Sequence, residues 1–313
     1  MEHSFKTAGP ATLRACLHGT WVHAIFSRLR SLKQQLTRQS DGDTILKQRY
    51  LRVHGRPLTG GNPQTFTEKL YWRMLAWNRV VPPIFAQLAD KLSARKYVAS
   101  KVGAEYLARL LWHGEDPVLI PFNALPNEYV VKTNHASRQV IVATEPTDRD
   151  AIIATCRRWI NTNFYWVARE GQYLHIQPKI MIEECLRDRH GNLPLDYKIW
   201  CFNGVPELIQ VINFSRDSHS FYDMSWNLLD LSYSKGKSRP DRSRPEHLEE
   251  MVALAARLSV GFGFVRVDLY NLDGRIYFGE FTFTPTAGEM KLMPDGWDLE
   301  LGKKWEISRD YSQ

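Results

Sequence analysis

The 313-residue chain has little cysteine: Cys16, Cys156, Cys185 and Cys201 are scattered, with no spacing that suits zinc or a redox pair. A disulfide framework and a zinc module are excluded on that ground, and reduced cytosolic thiols are the expectation. No apolar run reaches the ~20 residues that a membrane-crossing helix needs. Charges interrupt each apolar stretch near the N-terminus, so no signal peptide is expected and the chain reads as cytoplasmic. Internal repeats and low-complexity tracts are lacking as well. So is a Walker-type phosphate loop: Gly236-Lys237-Ser238 ends like one, but Leu231 stands where its first glycine is required.

What is present describes an ordinary globular chain, 43% hydrophobic and 24% charged, long enough for two or three compact lobes. Lys and Arg number 41 against 34 Asp and Glu, a net charge of +7. That sign favours anionic partners: nucleotide phosphates, an acidic glycan, nucleic acid or an anionic membrane surface. The arginines and aromatics form no recognised nucleic-acid module, so nucleic acid is not expected. Residues 12–38 read as a basic amphipathic helix with Leu17, Trp21, Ile25, Leu29, Leu32 and Leu36 near one face. Such a stripe packs against its own protein or lies on an anionic membrane, which leaves peripheral membrane contact open. Residues 39–43 read as a linker.

The most informative stretch is FVRVDLYNLDGRIYFGEFTFTPTAG, residues 264–288. Two alternating segments flank Leu272-Asp273-Gly274, which reads as a three-residue hairpin loop. That register sets Arg266 opposite Glu280 and Asp268 opposite Phe278. Arg266, Asp268, Glu280 and Thr282 then share one face, with Asp268 and Glu280 as diagonal neighbours. Two carboxylates in one cleft repel unless a cation or proton relieves them, and hard oxygen ligands of this kind suit Mg²⁺. The alternative is an exposed hairpin with a cross-strand Arg–Glu pair.

Arg266-Val-Asp268, the Asp-Gly turn, and Glu280-x-Thr282 followed by Pro285 and Gly288 resemble the metal-binding end of ATP-grasp ligases. There the pattern is R-x-D followed by E-x-N-x-x-P-G, with Thr282 here standing at the Asn position. Asn62-Pro63-Gln64-Thr65-Phe66-Thr67-Glu68-Lys69 is similar to the NPxTFxEK signature of the TupA-like branch, associated with teichuronopeptide and polysaccharide biosynthesis. Physically that run is a capped helix start, with Thr65 and Thr67 as candidate caps. The resemblance extends from about residue 50 onward. It implies an α+β ATP-grasp fold, in which antiparallel sheets with packed helices hold nucleotide between two lobes. The division expected is 1–43 N-terminal helix and linker, 44–118 helical lobe, 119–186 small lobe and 187–313 C-terminal lobe with the metal site.

Further residues acquire roles from the resemblance. Asp90-Lys91 opens a helix whose basic first turns oppose the helix dipole unless an anion sits nearby; in ATP-grasp enzymes the matching lysine holds ATP phosphate. Lys132 ends the strand Tyr129-Val-Val-Lys132 beside a polar loop, a good way to hold phosphate by itself. That loop, Asn134-His135-Ala136-Ser137-Arg138, resembles the phosphate-covering hairpin but lacks its glycines, and Arg138 adds a second cation. Glu183, Glu184 and Leu186 match the place where adenine is read. The strongest short hairpin signal, Asn203-Gly204, puts Asp196, Lys198 and Trp200 on one face with Glu207 across from Trp200. Lys198 then reaches a nucleotide or pairs with Glu207. Phe221-Tyr222-Asp223 is similar to a substrate-side loop. The resemblance implies an ADP-forming carboxylate–amine ligase using ATP and Mg²⁺. Arg266 takes the oxyanion-stabilising position, Asp268, Glu280 and Thr282 take the metal, and an anionic glycan or sugar acid and an amine are the partners. The alternative is a non-catalytic polyanion- or glycan-binding protein on a degenerate ATP-grasp fold.

Overall fold

A computed structural model describes residues 41–233 and 237–311. The basic amphipathic helix expected over 12–38 lies outside the described residues. The helices are α1 (Gly42–His54), α2 (Phe66–Trp77), α3 (Pro83–Ala89), α4 (Lys91–Lys101), α5 (Arg149–Ile160), α6 (Tyr165–Ala168), α7 (Leu248–Ser259) and α8 (Gly296–Lys304). α1 begins inside the expected linker because the Asp41 carboxylate accepts from Thr44 N and caps it. Of the two candidate caps before α2, Thr65 takes the position and Thr67 lies inside the helix: Thr65 Oγ1 accepts from Glu68 N at 3.2 Å, and Glu68 Oε2 accepts from Thr65 N at 3.1 Å, a capping box.

Two antiparallel sheets carry the structure. The smaller contains β1 (Leu110–Gly114), β2 (Glu128–Thr133), β3 (Val140–Thr144) and β4 (Ile180–Glu184) in the order β1-β4-β2-β3. Strand alternation puts Tyr129, Val131, Ile180 and Ile182 on one face, where Ile152 and Cys156 of α5 cover them. Val130, Lys132, Met181 and Glu183 fall on the other face.

The larger sheet contains β5 (Asp196–Phe202), β6 (Val205–Ile212), β7 (His219–Tyr222), β8 (Phe264–Leu272) and β9 (Arg275–Thr282) in the order β7-β6-β5-β8-β9. Tyr197, Ile199, Val211, Val265, Val267 and Leu269 line one face. Met251, Leu254 and Leu258 of α7, Phe85 and Leu88 of α3, and Ala94 and Val98 of α4 bury it. The opposite face is covered over half its extent, where Phe66 and Leu70 of α2, Leu301 of α8 and Trp305 pack on Trp200, Phe202, Leu208 and Phe264. The remaining half is polar and makes a floor of Asp196, Lys198, Gln210, Arg266, Asp268, Glu280 and Thr282. Residues 44–118, expected as a helical lobe, divide between the two sheets. α2–α4 supply core to the larger one, and β1 is a strand of the smaller one.

Two hairpin registers differ from expectation. Leu272 pairs with Arg275, so the β8–β9 turn is the two residues Asp273 (φ 50°) and Gly274 (φ 83°). Positive φ at both centres is the turn whose twist matches the flanking strands. A bulge follows at Gly279, beyond which Asp268 faces Glu280 directly and Arg266 faces Thr282. The turn is one residue shorter than expected, which moves the partners nearest it by one, and the bulge inserts one residue, so the partners of Asp268 and Arg266 move by two and the shared face survives. In the β5–β6 hairpin a bulge at Glu207 makes Leu208, not Glu207, the partner of Trp200. The Lys198–Glu207 pair therefore does not form, and Glu207 binds Lys304 Nζ at 2.7 Å.

Candidate functional site

The floor is organised around Asp268, fully buried at the centre of the larger sheet. Arg266 clamps it with two parallel bonds of 2.6 Å, from Nε to Oδ1 and Nη2 to Oδ2. From the adjacent strand, Lys198 Nζ donates to the same Oδ2 and reaches Asp196 Oδ2 at 2.5 Å. Lys198 faces Asp268 in register, which is why alternation delivers its ammonium there. Burial alone depresses the Lys198 pKa, but Asp196 and Asp268 outweigh it and hold it above the ordinary lysine value. Arg266 follows the same balance, raised by Asp268 against the pull of burial. Its Nη2 also donates to Thr282 Oγ1 at 2.9 Å, while Nη1 makes no hydrogen bond among the described residues.

Glu280, a third exposed, is held loosely by comparison. Its oxygens lie 3.3 Å from Thr282 Oγ1, 3.8 Å from Arg266 Nη2 and 3.8 Å from Lys91 Nζ. Burial raises its pKa, yet Lys91, Lys198, Arg266 and Arg216 together bring it down to about 2. Glu280 is thus a carboxylate at any physiological pH, with oxygens that no strong partner claims.

The smaller sheet supplies the facing groups. Lys132 Nζ pairs with Glu183, whose Oε1 also accepts from Arg95 at 2.6 Å. Arg95 donates to Ala108 O at 2.7 Å too, so it is a structural tie. Lys91 stands between the sheets. Its Nζ donates to Ala136 O at 2.7 Å in the loop after β2 and approaches Glu280 on β9. Burial lowers the Lys91 pKa, with Glu280 opposing that shift. The anions expected near the basic start of α4 are therefore Glu183 and Glu280. Asn134 joins this loop to α4: its side-chain N donates to Asp90 Oδ1 and to Gln177 O, both at 3.0 Å, and its Oδ1 accepts from Lys179 N at 2.7 Å. His135 is buried and bonded to Asn134 and Thr162, a structural histidine.

Other candidates fall outside this cluster. Neighbours on a strand point to opposite faces, so Glu184 lies away from Glu183 and binds Arg109 N at 2.7 Å. Leu186 packs against the group formed by Ala108, Leu272 and Tyr277. Arg138 is exposed, with φ 62°. Asp223 closes its own turn onto Ser225 and Asn227.

Several groups near the cleft were given no role from sequence, although Asp196 was placed on the face of Lys198. Asp196 Oδ1 and Gln210 Oε1 are buried without hydrogen-bond partners on the polar floor. Gln210 pairs with Lys198 in register, and both were within reach of strand alternation. Glu170, Gln172 and Tyr173 come from a single 3-10 turn after α6, Gly171–Tyr173 with Glu170 before it, too short to carry a periodic signal. Glu170 is buried, and burial pushes its carboxyl up to about 7. It accepts from Thr284 Oγ1 at 2.5 Å, and Gln172 Nε2 donates to the same hydroxyl at 2.6 Å.

The donor set suits Mg²⁺, which takes one or two carboxylates and completes its shell with water and phosphate oxygens. Asp268 and Glu280 directly oppose each other, the Thr282 hydroxyl is adjacent, and Glu280 has unclaimed oxygens. Among the described residues no three His, Cys, Asp or Glu side chains cluster as an all-protein cage.

A search of the curated proteins finds no match. Solved structures with a similar arrangement include D-alanine–D-alanine ligase from Bacillus anthracis complexed with ATP, 16% identical with TM-score 0.38, over 64% of this chain and 56% of that one. The ATP-grasp ligase PsnB with precursor peptide PsnA2 and AMPPNP is 12% identical with TM-score 0.39, over 73% and 61%. Phosphoribosylamine–glycine ligase from Thermotoga maritima is 14% identical with TM-score 0.39, over 66% and 51%. The chain thus spans little more than half the length of these structures. The TupA-like ATP-grasp family model matches residues 68–306, which takes in both sheets and every residue of the floor; the chain belongs to that family and has its α+β ATP-grasp fold.

Proposed function

We propose that the protein is a carboxylate–amine ligase that uses Mg-ATP, forms an amide through an acyl phosphate and releases ADP. The observation that carries this reading is the charge arrangement of the cleft. Lys91, Lys132, Lys198 and Arg266 converge there with Asp268 and Glu280 between them. Phosphoryl transfer needs positioning and neutralisation of phosphate oxygens, and these side chains supply both. Asp268, Glu280 and Thr282 would hold Mg²⁺, which when bound neutralises charge on the phosphates. Lys91 and Lys132 would hold the phosphates from the loop side and Lys198 from the floor. Arg138 adds a cation at the loop rim, and the chain of Glu183, Glu184 and Leu186 borders the base. Arg266, with Nη1 unengaged, is the candidate for stabilising the oxyanion when the amine attacks.

A sugar acid or anionic glycan of a cell-envelope or capsular polysaccharide is the acceptor favoured by the net charge of +7. A cytoplasmic site of action fits that substrate, and among the described residues no helix is long and apolar enough to cross a membrane. One observation favours a second reading, a polyanion-binding module without turnover: Asp268 is fully engaged by Arg266 and Lys198.

The test is a nucleotide-product assay with glucuronate and other sugar acids as acceptors and hydroxylamine as the trap. ADP, phosphate and a hydroxamate are expected. AMP excludes the acyl-phosphate route, and failure to bind ATP decides for the polyanion-binding module.

A further inference from the structure

Beyond the end of β9 lies a second polar group, Glu170, Gln172 and Thr284, that phosphate chemistry does not use. Thr284 lies two residues past Thr282 and sends its hydroxyl to Glu170 at 2.5 Å, and Gln172 anchors the same hydroxyl at 2.6 Å. The second oxygen of Glu170 makes no hydrogen bond among the described residues. Arg49 of α1 passes beside this segment, donating to Ala168 O at 2.8 Å and Ala287 O at 2.9 Å. Thr284 ties this group to the end of β9, and Tyr173 feels the charges of Glu170, Glu280, Arg266 and Asp268. A carboxylate almost removed from water, bonded on one oxygen and open on the other, is costly unless a ligand uses it.

We propose that Glu170 receives the amine substrate and takes its proton, making the end of the cleft past β9 a primary-amine site. The inference rests on the ligase reading above. An ammonium group cannot attack an acyl phosphate, because its lone pair is bound to hydrogen. Glu170 carboxylate takes one proton from R–NH₃⁺ and becomes the neutral acid. The freed lone pair forms the C–N bond, and the C–O bond to phosphate breaks with its electron pair leaving on phosphate. The nitrogen's second surplus proton leaves with that phosphate as HPO₄²⁻, and Glu170 returns its own proton to water. Thr284 and Gln172 hold the carboxyl in position.

The groups facing Glu170 are Thr284 beyond β9, Arg49 on α1, Glu280 on β9 and Lys91 on α4, and burial outweighs all of them in raising its pKa to about 7. The base is therefore ionised above that pH and protonated below it. Amide formation should rise through neutral pH and level off in mild alkali.

The experiment compares two nucleophiles with glucuronate and Mg-ATP: methylamine, which is protonated at neutral pH, and hydroxylamine, which is already a free base. Glu170→Gln should lower amide formation from methylamine by roughly 10²-fold or more, remove the rise through neutral pH, and keep hydroxamate formation. Glu170→Asp should recover part of the methylamine reaction. Equal loss with both nucleophiles, or unchanged amide formation, overturns the proposal. Absence of ATP-dependent hydroxamate in the unmodified protein overturns the ligase reading and this inference with it. Stability gives an activity-free readout. A carboxyl raised from 4.5 to about 7 by folding stabilises fully below 4.5 and loses that contribution as pH rises through 7. The unmodified protein should lose Tm over that window, and Glu170→Gln should flatten the slope; an unchanged slope also overturns the proposal.

Discussion

Asp268 and Glu280 carry the same charge on facing strands, yet substitution tests them differently. Asp268 is fully buried and neutralises two buried cations, Arg266 and Lys198. Asp268→Asn leaves those cations short of an anion in a dry site, and breaking a buried pair costs about 3–5 kcal/mol. Loss of activity in that variant would mix chemistry with unfolding. Glu280 is a third exposed, its contacts are 3.3–3.8 Å long, and without it Lys91 keeps Ala136 O and Arg266 keeps Asp268. We expect Glu280→Gln to change stability by less than about 1 kcal/mol while abolishing Mg-dependent turnover. Denaturant melts beside an ADP-release assay at several Mg²⁺ concentrations decide it. Turnover that persists with an unaltered Mg²⁺ requirement removes Glu280 from the metal site. Thr282→Asn is the companion: Thr282 Oγ1 bridges Arg266 and Glu280, and an amide oxygen there should keep or raise activity.

At the scale of the element, the floor was legible because strand alternation fixes sidedness independently of register. The expected β8–β9 loop was one residue too long and the Gly279 bulge was not foreseen, yet Arg266, Asp268, Glu280 and Thr282 still share one face. Lys198 was legible for the same reason. Glu207 was not, because its bulge leaves no mark in the residue pattern. Glu170 and Tyr173 sit at a single 3-10 turn, and a buried carboxyl there is evident only once its neighbours are known. The run that carried the resemblance to the branch, Asn62 to Lys69, should act on stability alone. Its capping box starts α2, and Asp298 of α8 reinforces it through Thr67 N at 2.8 Å and Thr67 Oγ1 at 2.6 Å. Thr65→Ala should cost about 1 kcal/mol and leave the Km for ATP unchanged. A shift in Km without a loss of stability contradicts that assignment.

Across the whole molecule, Lys91 touches both sheets and belongs to neither. Its helix α4 is packed into the core of the larger sheet through Ala94 and Val98, while its ammonium holds the loop of the smaller sheet at Ala136 O. A lysine so placed has its pKa lowered by burial, which Glu280 at 3.8 Å only partly opposes, so an arriving phosphate is favourable to it. Nucleotide should therefore stabilise the fold as a unit. At ATP a hundredfold above Kd, binding contributes about 2.7 kcal/mol, a rise in Tm of roughly 4 °C for a chain of this size. Lys91→Met removes one charge-assisted contact, worth about 1.5–3 kcal/mol, so at the same ATP most of the rise should vanish while the nucleotide-free Tm changes little. Arg138→Ala, at an exposed loop position, should keep nearly all of it. Thermal melts of the three proteins with and without Mg-ATP separate the cases. An intact shift in Lys91→Met, or an equal loss in both variants, would mean that phosphate is held elsewhere and that Lys91 serves only to join α4 to the loop.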